Sequence, residues 1–327
     1  MSLVVDVHTH MLNEAFVATL RDRGGSYSIR PSGPGLEQVF FDDFPFMTLT
    51  KGMFDYDLRV QEMDRAGVDI AIVSLTAPNV FWGGERVSAS VARAINDDMC
   101  KAQAAHPGRI RWMASLPWQY PEAAIEELER ARGNGAVGVM TLANISGEPL
   151  VSQRFAPIWQ AIERADLPVL VHPTAPPGVA AMGMEEYNLV ANIGFMFDTT
   201  LAFTKMIYEG FLDRFPGLKL IAAHAGATLP YLAGRLDQCW SKMPACRAHI
   251  DEPPSSYLRR LYYDTVTYSP DALSLCLSIA GKDRLLFGSD YPHNIGDMEG
   301  CLDRVDKLPP EVRDAVRGSN ARAIFSL

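Results

Sequence analysis

The chain has 327 residues, 48% of them hydrophobic and 21% charged, with a formal net charge of −9. That composition is globular and large enough for one barrel-sized domain. Its negative field offers nothing to DNA, RNA or an anionic membrane surface. Five cysteines with no CxxC pair argue against a disulfide framework or zinc ribbon and fit thiols in a reducing compartment. No apolar run reaches the roughly 18 residues of a membrane span. No basic segment leads into an apolar one at the start, so the expected address is the cytoplasm.

The first element is a short apolar run, Val4-Val5-Asp6-Val7-His8-Thr9-His10. In a strand, residues i and i+2 point to the same side. His8 and His10 therefore face one direction from its end, a geometry suited to a metal ion. Residues 11–54 are long and irregular, with Gly24-Gly25, Gly33-Pro34-Gly35 and an aromatic group at Phe40, Phe41, Phe44, Phe46 and Phe54. The aromatics argue against disorder, and the segment reads as a folded insertion near a pocket mouth.

Residues 55–66 read as a helix stopped by Gly67, and 68–75 as a strand. A helix over 86–105 ends at Pro107-Gly108, and a strand follows over 110–116. Residues 121–132 form a helix with proline in its first turn, where proline is tolerated. Next come a strand at 136–141, a helix at 153–165 and a strand at 168–172. Residues 174–193 are irregular and rich in Pro, Gly and Met. A helix at 197–215, a strand at 218–224 and a helix at 229–242 follow. The chain continues with a strand at 261–264, a helix at 271–280 and a strand at 285–288, and closes with a helix at 310–325.

Eight short apolar strands, mostly separated by amphipathic helices, imply parallel strands joined by right-handed crossovers. Eight such units make an α/β fold of the (β/α)8 TIM-barrel type. The expectation is one domain over 1–327, with insertions after the first and fifth strands. A doubly wound open sheet is the alternative, but it puts a Gly-rich phosphate fingerprint after its first strand, where this chain has His8-Thr9-His10.

In a barrel the chemistry sits at the C-terminal ends of the strands. Strand one ends in His8 and His10, strand five in His172 and strand six in His224, and strand eight runs into Ser289 and Asp290. Of the seven histidines only His106 and His249 lie away from this region, because His293 follows Asp290 closely. A set of core histidines would not be placed so selectively. The expected ligand set is His8, His10, His172 and Asp290. Three imidazoles and a carboxylate suit zinc, with manganese, iron or cobalt as alternatives. His224 is either a further ligand or a general acid/base just outside. Binuclear barrel hydrolases bridge two ions with a carboxylated lysine on the fourth strand. Here that strand reads Val137-Gly138-Val139-Met140-Thr141, so a single ion is expected.

These residues resemble the amidohydrolase superfamily, and within it the branch of aminocarboxymuconate-semialdehyde decarboxylase and related non-oxidative decarboxylases. The resemblance spans nearly the whole chain. It is carried by 5–10, by Arg59-Val60-Gln61-Glu62-Met63-Asp64, Val171-His172-Pro173, Ala223-His224-Ala225-Gly226, Gly234-Arg235 and Gly288-Ser289-Asp290-Tyr291-Pro292. It implies a zinc ion on His8, His10, His172 and Asp290, with His224 as acid/base. It also implies a homodimer in which Arg235 reaches across to a substrate carboxylate.

The substrate-facing residues depart from that pattern. Thr174-Ala175-Pro176-Pro177 stand where the decarboxylase has Trp-Asp, and His293 where it has phenylalanine. Met47 lies near the point where its insertion carries an arginine, with Lys51 the nearest cation. Arg235, His293, Lys51 and Met47 are thus the candidate substrate contacts. The expected activity is metal-dependent non-oxidative decarboxylation of an unsaturated or aromatic carboxylic acid, with Asp290 and His224 handling protons. Hydrolysis of a lactone, amide or C–C bond, or hydration, is the alternative reading of the same residues. The partner expected is a small-molecule carboxylate, with no organic cofactor.

Overall fold

The computed structural model describes residues 3–327. Its centre is an eight-stranded parallel sheet made of β1 (Val5–His10), β5 (Ile70–Ser74), β6 (Ile110–Ser115), β7 (Gly138–Leu142), β10 (Val169–His172), β11 (Leu220–Ala222), β12 (Tyr262–Asp264) and β13 (Leu285–Leu286), in that spatial order. The missing numbers are outlying strands: β2 (Tyr27–Gly33), β3 (Leu36–Phe41) and β4 (Phe44–Thr48) form an antiparallel sheet, and β8 (Asn144–Ile145) pairs with β9 (Glu148–Pro149).

The ends of the main sheet meet. Val7 N–H donates to the Phe287 carbonyl at 2.9 Å, Asp290 N–H to that of His8 at 2.8 Å, and His10 N–H to that of Tyr291 at 2.8 Å. These bonds close the sheet into the expected barrel. Strands β1, β5, β7 and β10 are buried along their whole length. β5, β7 and β10 therefore read as mainly apolar runs rather than alternations, as parallel strands covered on both faces do, whereas β1 carries Asp6, His8 and His10 between its apolar residues.

Helices cover the outside. The helix Glu85–Ala105 buries Val91, Ala92, Ile95, Met99 and Ala102, a stripe at helical spacing. Side-chain caps start several others: Asp55 accepts from Leu58 N–H and Asp297 from Gly300 N–H. Between helices Ala156–Ala165 and Phe211–Arg214 and the sheet sits an aromatic group, with Trp159 stacked edge-on against Trp118 at 4.7 Å and Phe211 at 5.2 Å between ring centroids.

The structure refines several expected elements. The insertion after β1 is regular, with a helix at Glu14–Arg23 followed by the β2–β3–β4 sheet and a short turn at Lys51–Met53. The helix expected over 197–215 begins earlier, at Phe195, and breaks at Gly210, whose φ of 62° lies in the left-handed region. A helix at Met298–Asp306, absent from the sequence expectations, buries Met298, Cys301, Leu302 and Val305.

Candidate active site

Each expected metal ligand stands at the C-terminal mouth of the barrel, and the orientation of each imidazole has an identifiable cause. His8 Nδ1 meets Asp264 Oδ2 at 2.6 Å, His10 Nδ1 meets Ser74 Oγ at 3.2 Å, and His172 Nδ1 meets the Pro173 carbonyl at 2.8 Å. A carbonyl only accepts, so His172 carries its proton on Nδ1 and presents a lone pair at Nε2. Nε2 of His8, His10 and His172 are all buried without a hydrogen-bond partner, as is Asp290 Oδ1. That oxygen lies 3.4 Å from His8 Nε2 and 3.2 Å from His10 Nε2.

Buried polar atoms are ordinarily paired. Nitrogen lone pairs and a carboxylate oxygen aimed at one spot are the donor set of a divalent cation, and the outward nitrogens are held as ligating histidines usually are. Burial pushes His10 down to about 3 and His172 well below the ordinary imidazole value, so both are neutral and able to ligate. Burial would raise Asp290, but the imidazoles of His293, His10 and His224 around it hold its carboxyl well below the usual range.

The potential ligand atoms form two overlapping groups. Those of His8, His172, His224 and Asp290 lie within 4.8 Å of one another, and so do those of His10, Asp290 and His293. His224 differs from the other three histidines. Its unpartnered atom is Nδ1, while Nε2 stands 3.7 Å from Asp290 Oδ2. That placement suits proton exchange beside the donor set as well as ligation.

Two buried groups hold this floor together, and neither was singled out as a site residue from the sequence. Asp264, at the end of β12, accepts from His8 and from the backbone N–H groups of His224, Ala225 and Val266. Burial opposes its charge, but the bonded His8 imidazole and these donors hold it below the usual carboxylate value. Its signal was its position at a barrel strand's C-terminal end, the same signal that marks His172. Arg59 is fully buried. It donates to Thr9 Oγ1 at 2.5 Å and to the His10 carbonyl, and its guanidinium lies 4.8 Å from the Tyr291 ring centroid. It thus clamps the end of β1 to the loop after β13.

Backbone geometry is equally constrained. His224, Ala225, Gly226 and Ala227 all have φ between 53° and 74°, a turn that aims consecutive N–H groups at Asp264. At Gly226 a Cβ would stand 2.6 Å from the Tyr263 ring, so only glycine fits. Gly288 packs between two site residues, and a Cβ there would stand 2.8 Å from the His8 Cβ and 3.2 Å from the Asp264 Cβ.

Above the floor opens a cavity of about 850 Å³. The β2–β3–β4 sheet supplies Phe46 and Met47 to its wall, the segment before helix Phe195–Tyr208 supplies Asn192, and the helix itself Phe195. Met47 and His293 both line the cavity. Lys51 does not: its side chain is 79% exposed and pairs with Asp55 at 3.6 Å, because the turn Lys51–Met53 has already left the cavity wall. Arg235 is exposed on helix Leu229–Lys242, outside the cavity of its own chain. No lysine or arginine of the described residues lines this cavity.

A barrel with histidines and an aspartate gathered at its C-terminal mouth defines a metal-dependent barrel of the amidohydrolase type. The Amidohydrolase family model matches residues 5–327, and the chain belongs to that family. It is 27% identical over 335 residues to 2-amino-3-carboxymuconate-6-semialdehyde decarboxylase of Dictyostelium discoideum, an alignment covering 100% of this chain and 92% of that protein. Among solved structures it is similar to 5-carboxyvanillate decarboxylase from Sphingomonas paucimobilis, with a TM-score of 0.87, 25% identity and 100% of both chains covered. It is also similar to dihydroxybenzoic acid decarboxylase from Polaromonas sp. JS666, solved with bound manganese and the inhibitor 2-nitroresorcinol, with a TM-score of 0.82, 25% identity, and 100% of this chain and 98% of that one covered.

Proposed function

We propose that the whole chain acts as one catalytic domain, a metal-dependent decarboxylase that removes CO2 from an aromatic or unsaturated carboxylic acid. The observation that carries this reading is the set of unpartnered donors, His8, His10 and His172 Nε2 with Asp290 Oδ1, on the floor of a large and mainly apolar cavity. His8, His10, His172 and Asp290 would hold one divalent ion. When bound, such an ion orients a carboxylate and stabilises developing negative charge as a Lewis acid. Three imidazoles favour zinc on ligand chemistry, while the Polaromonas relative holds manganese. Metal analysis after reconstitution decides between them.

The remaining chemistry belongs to the side chains. Phe46 and Phe195 offer flat apolar surface to a planar substrate, and Met47 a flexible apolar one. Decarboxylation needs a proton at the carbon that bears the carboxylate. His224 and Asp290 would pass one there, a reading supported by their 3.7 Å separation on the cavity floor. That carbon becomes tetrahedral, its bond to the carboxylate breaks, the electron pair returns to the unsaturated system, and CO2 leaves. The balance is one proton in and one CO2 out, with no redox partner.

The apolar stripe Ile193, Phe197 and Leu201 is exposed, and Tyr231 beside the cavity is exposed on the same helix as Arg235. These surfaces support a homodimer in which Arg235 serves its partner's cavity. All five cysteines are free, and no helix of the described residues is long and apolar enough to cross a membrane. Free thiols support a cytoplasmic address.

The test is a panel of hydroxybenzoates, muconate-type acids and lactones offered to the metal-loaded protein, with CO2 and ring opening both followed. CO2 release that stops on chelation, and in His224→Asn with its metal retained, is expected. Ring opening without CO2 would instead make the protein a hydrolase.

A further inference from the structure

Asp290 belongs to both groups of potential ligands, with His224 in one and His293 in the other. The His224 ring packs against His8 and His172, at 5.0 and 5.4 Å between centroids, while the His293 ring packs against His10 at 5.0 Å. The two imidazoles therefore flank the floor from different sides. The proton chemistry described above uses His224 and leaves His293 without a role.

His293 is held as a functional group is held. Its N–H donates to the Asp290 carbonyl at 3.1 Å and its own carbonyl accepts from Gly296 N–H at 2.8 Å. Its Nε2 meets Thr76 Oγ1 at 3.0 Å, and both residues line the cavity. Its Nδ1 hydrogen-bonds to no described residue. Backbone and ring are thus fixed while one ring nitrogen keeps its hydrogen-bonding capacity beside the spot where a substrate carboxylate would sit.

We propose that His293, oriented by Thr76, is the specificity-determining residue that reads a hydroxyl on the carbon next to the one bearing the carboxylate. The proposal rests on the decarboxylase reading of this site and deepens it. With the carboxylate against the donor set and His224 on one flank, a neighbouring substituent on the other flank meets His293. A hydroxyl suits it whichever nitrogen of the imidazole carries the proton, because a hydroxyl both donates and accepts. A hydrogen or methyl group at that position satisfies neither form. No lysine or arginine among the described residues lines the cavity to compete for this role.

The experiment measures binding rather than turnover, so it reports on His293 even if no CO2 is released from any of these acids. Salicylate, benzoate and 2-methylbenzoate are titrated calorimetrically into the metal-loaded wild type, His293→Phe and Thr76→Val, with the metal content of each determined. Wild type is expected to prefer salicylate over benzoate by about tenfold or more, the scale of one hydrogen bond in a desolvated site. His293→Phe should reduce that ratio to near unity while benzoate affinity holds, and Thr76→Val should reduce it in part. An unchanged ratio in His293→Phe overturns the proposal, as does a wild type without the preference. If His293→Phe loses its metal, Thr76→Val decides: retained metal with a reduced preference supports the role, and loss of metal there too makes His293 a ligand and overturns it.

Discussion

Asp264→Asn tests whether the metal floor is assembled by its hydrogen bonds. Oδ2 accepts from His8 Nδ1 at 2.6 Å and His224 N–H at 2.9 Å, and Oδ1 from Ala225 N–H at 2.8 Å and Val266 N–H at 2.9 Å. An asparagine has one acceptor oxygen, so either orientation leaves two buried donors facing an NH2 group. Each unpaired buried donor costs about 1–3 kcal/mol, which puts the loss at about 2–6 kcal/mol of stability. One escape exists. His8 could accept from the new amide through Nδ1, which moves its proton to Nε2 and removes the ligand lone pair. The variant is therefore expected to lose stability, or to bind metal about 10–100-fold more weakly, or both. Urea unfolding gives the first quantity and competition with a chromophoric chelator the second. Wild-type stability together with wild-type metal affinity would refute the role given to Asp264.

Asp198, which accepts from the N–H of the peptide whose carbonyl orients His172, gives a pH prediction. Burial raises its carboxyl from 3.8 to about 7, against hydrogen bonds from Thr174 N–H and the Asn144 amide. The folded state thus holds a proton that the unfolded state gives up, and this group's contribution falls as pH rises from about 4 to about 7, by about 4 kcal/mol in all. Asp198→Asn should flatten that slope in urea titrations at fixed pH values, and an unchanged slope would assign it to other groups. For the proposed dimer, Arg235→Ala and His224→Asn should each be inactive alone. Mixed, they should recover about a quarter of wild-type activity, because random exchange makes half the dimers mixed and each of those has one intact site. No recovery, or an active Arg235→Ala, counts against a shared site.

The barrel and the cluster of donor side chains at its mouth were legible because both are written in runs. Eight apolar stretches end at the mouth, and four of them end in or run into His8, His10, His172, His224 and Asp290. What was illegible is held by tertiary contact. The sheet of β2, β3 and β4 contains Pro31, Gly33 and Pro45 and buries few side chains, chiefly Val39, Phe44, Phe46 and Met47. Its pattern is too sparse to announce a sheet, and packing against the barrel supplies the rest. Lys51 looked like a substrate cation only because no other cation was near in sequence. The helix Met298–Asp306 was readable, with Asp297 as its cap and buried residues at helical spacing.

The groups that aim the proposed ligands come from the same strand ends as those ligands themselves. Ser74 ends β5 and orients His10, while Asp264 ends β12 and orients His8. Pro173 follows β10 directly and orients His172. Moving one ligand therefore means moving a barrel strand, which parallel pairing on both sides resists. The cavity wall is built differently. Phe46, Met47 and Asn192 stand on inserted segments that contribute no strand to the barrel, so they can change without disturbing the floor. This division explains how a chain only 25% identical to 5-carboxyvanillate decarboxylase can share its fold over its full length. It also puts the choice of substrate in the wall and in His293, which reaches the cavity from the loop that carries Asp290.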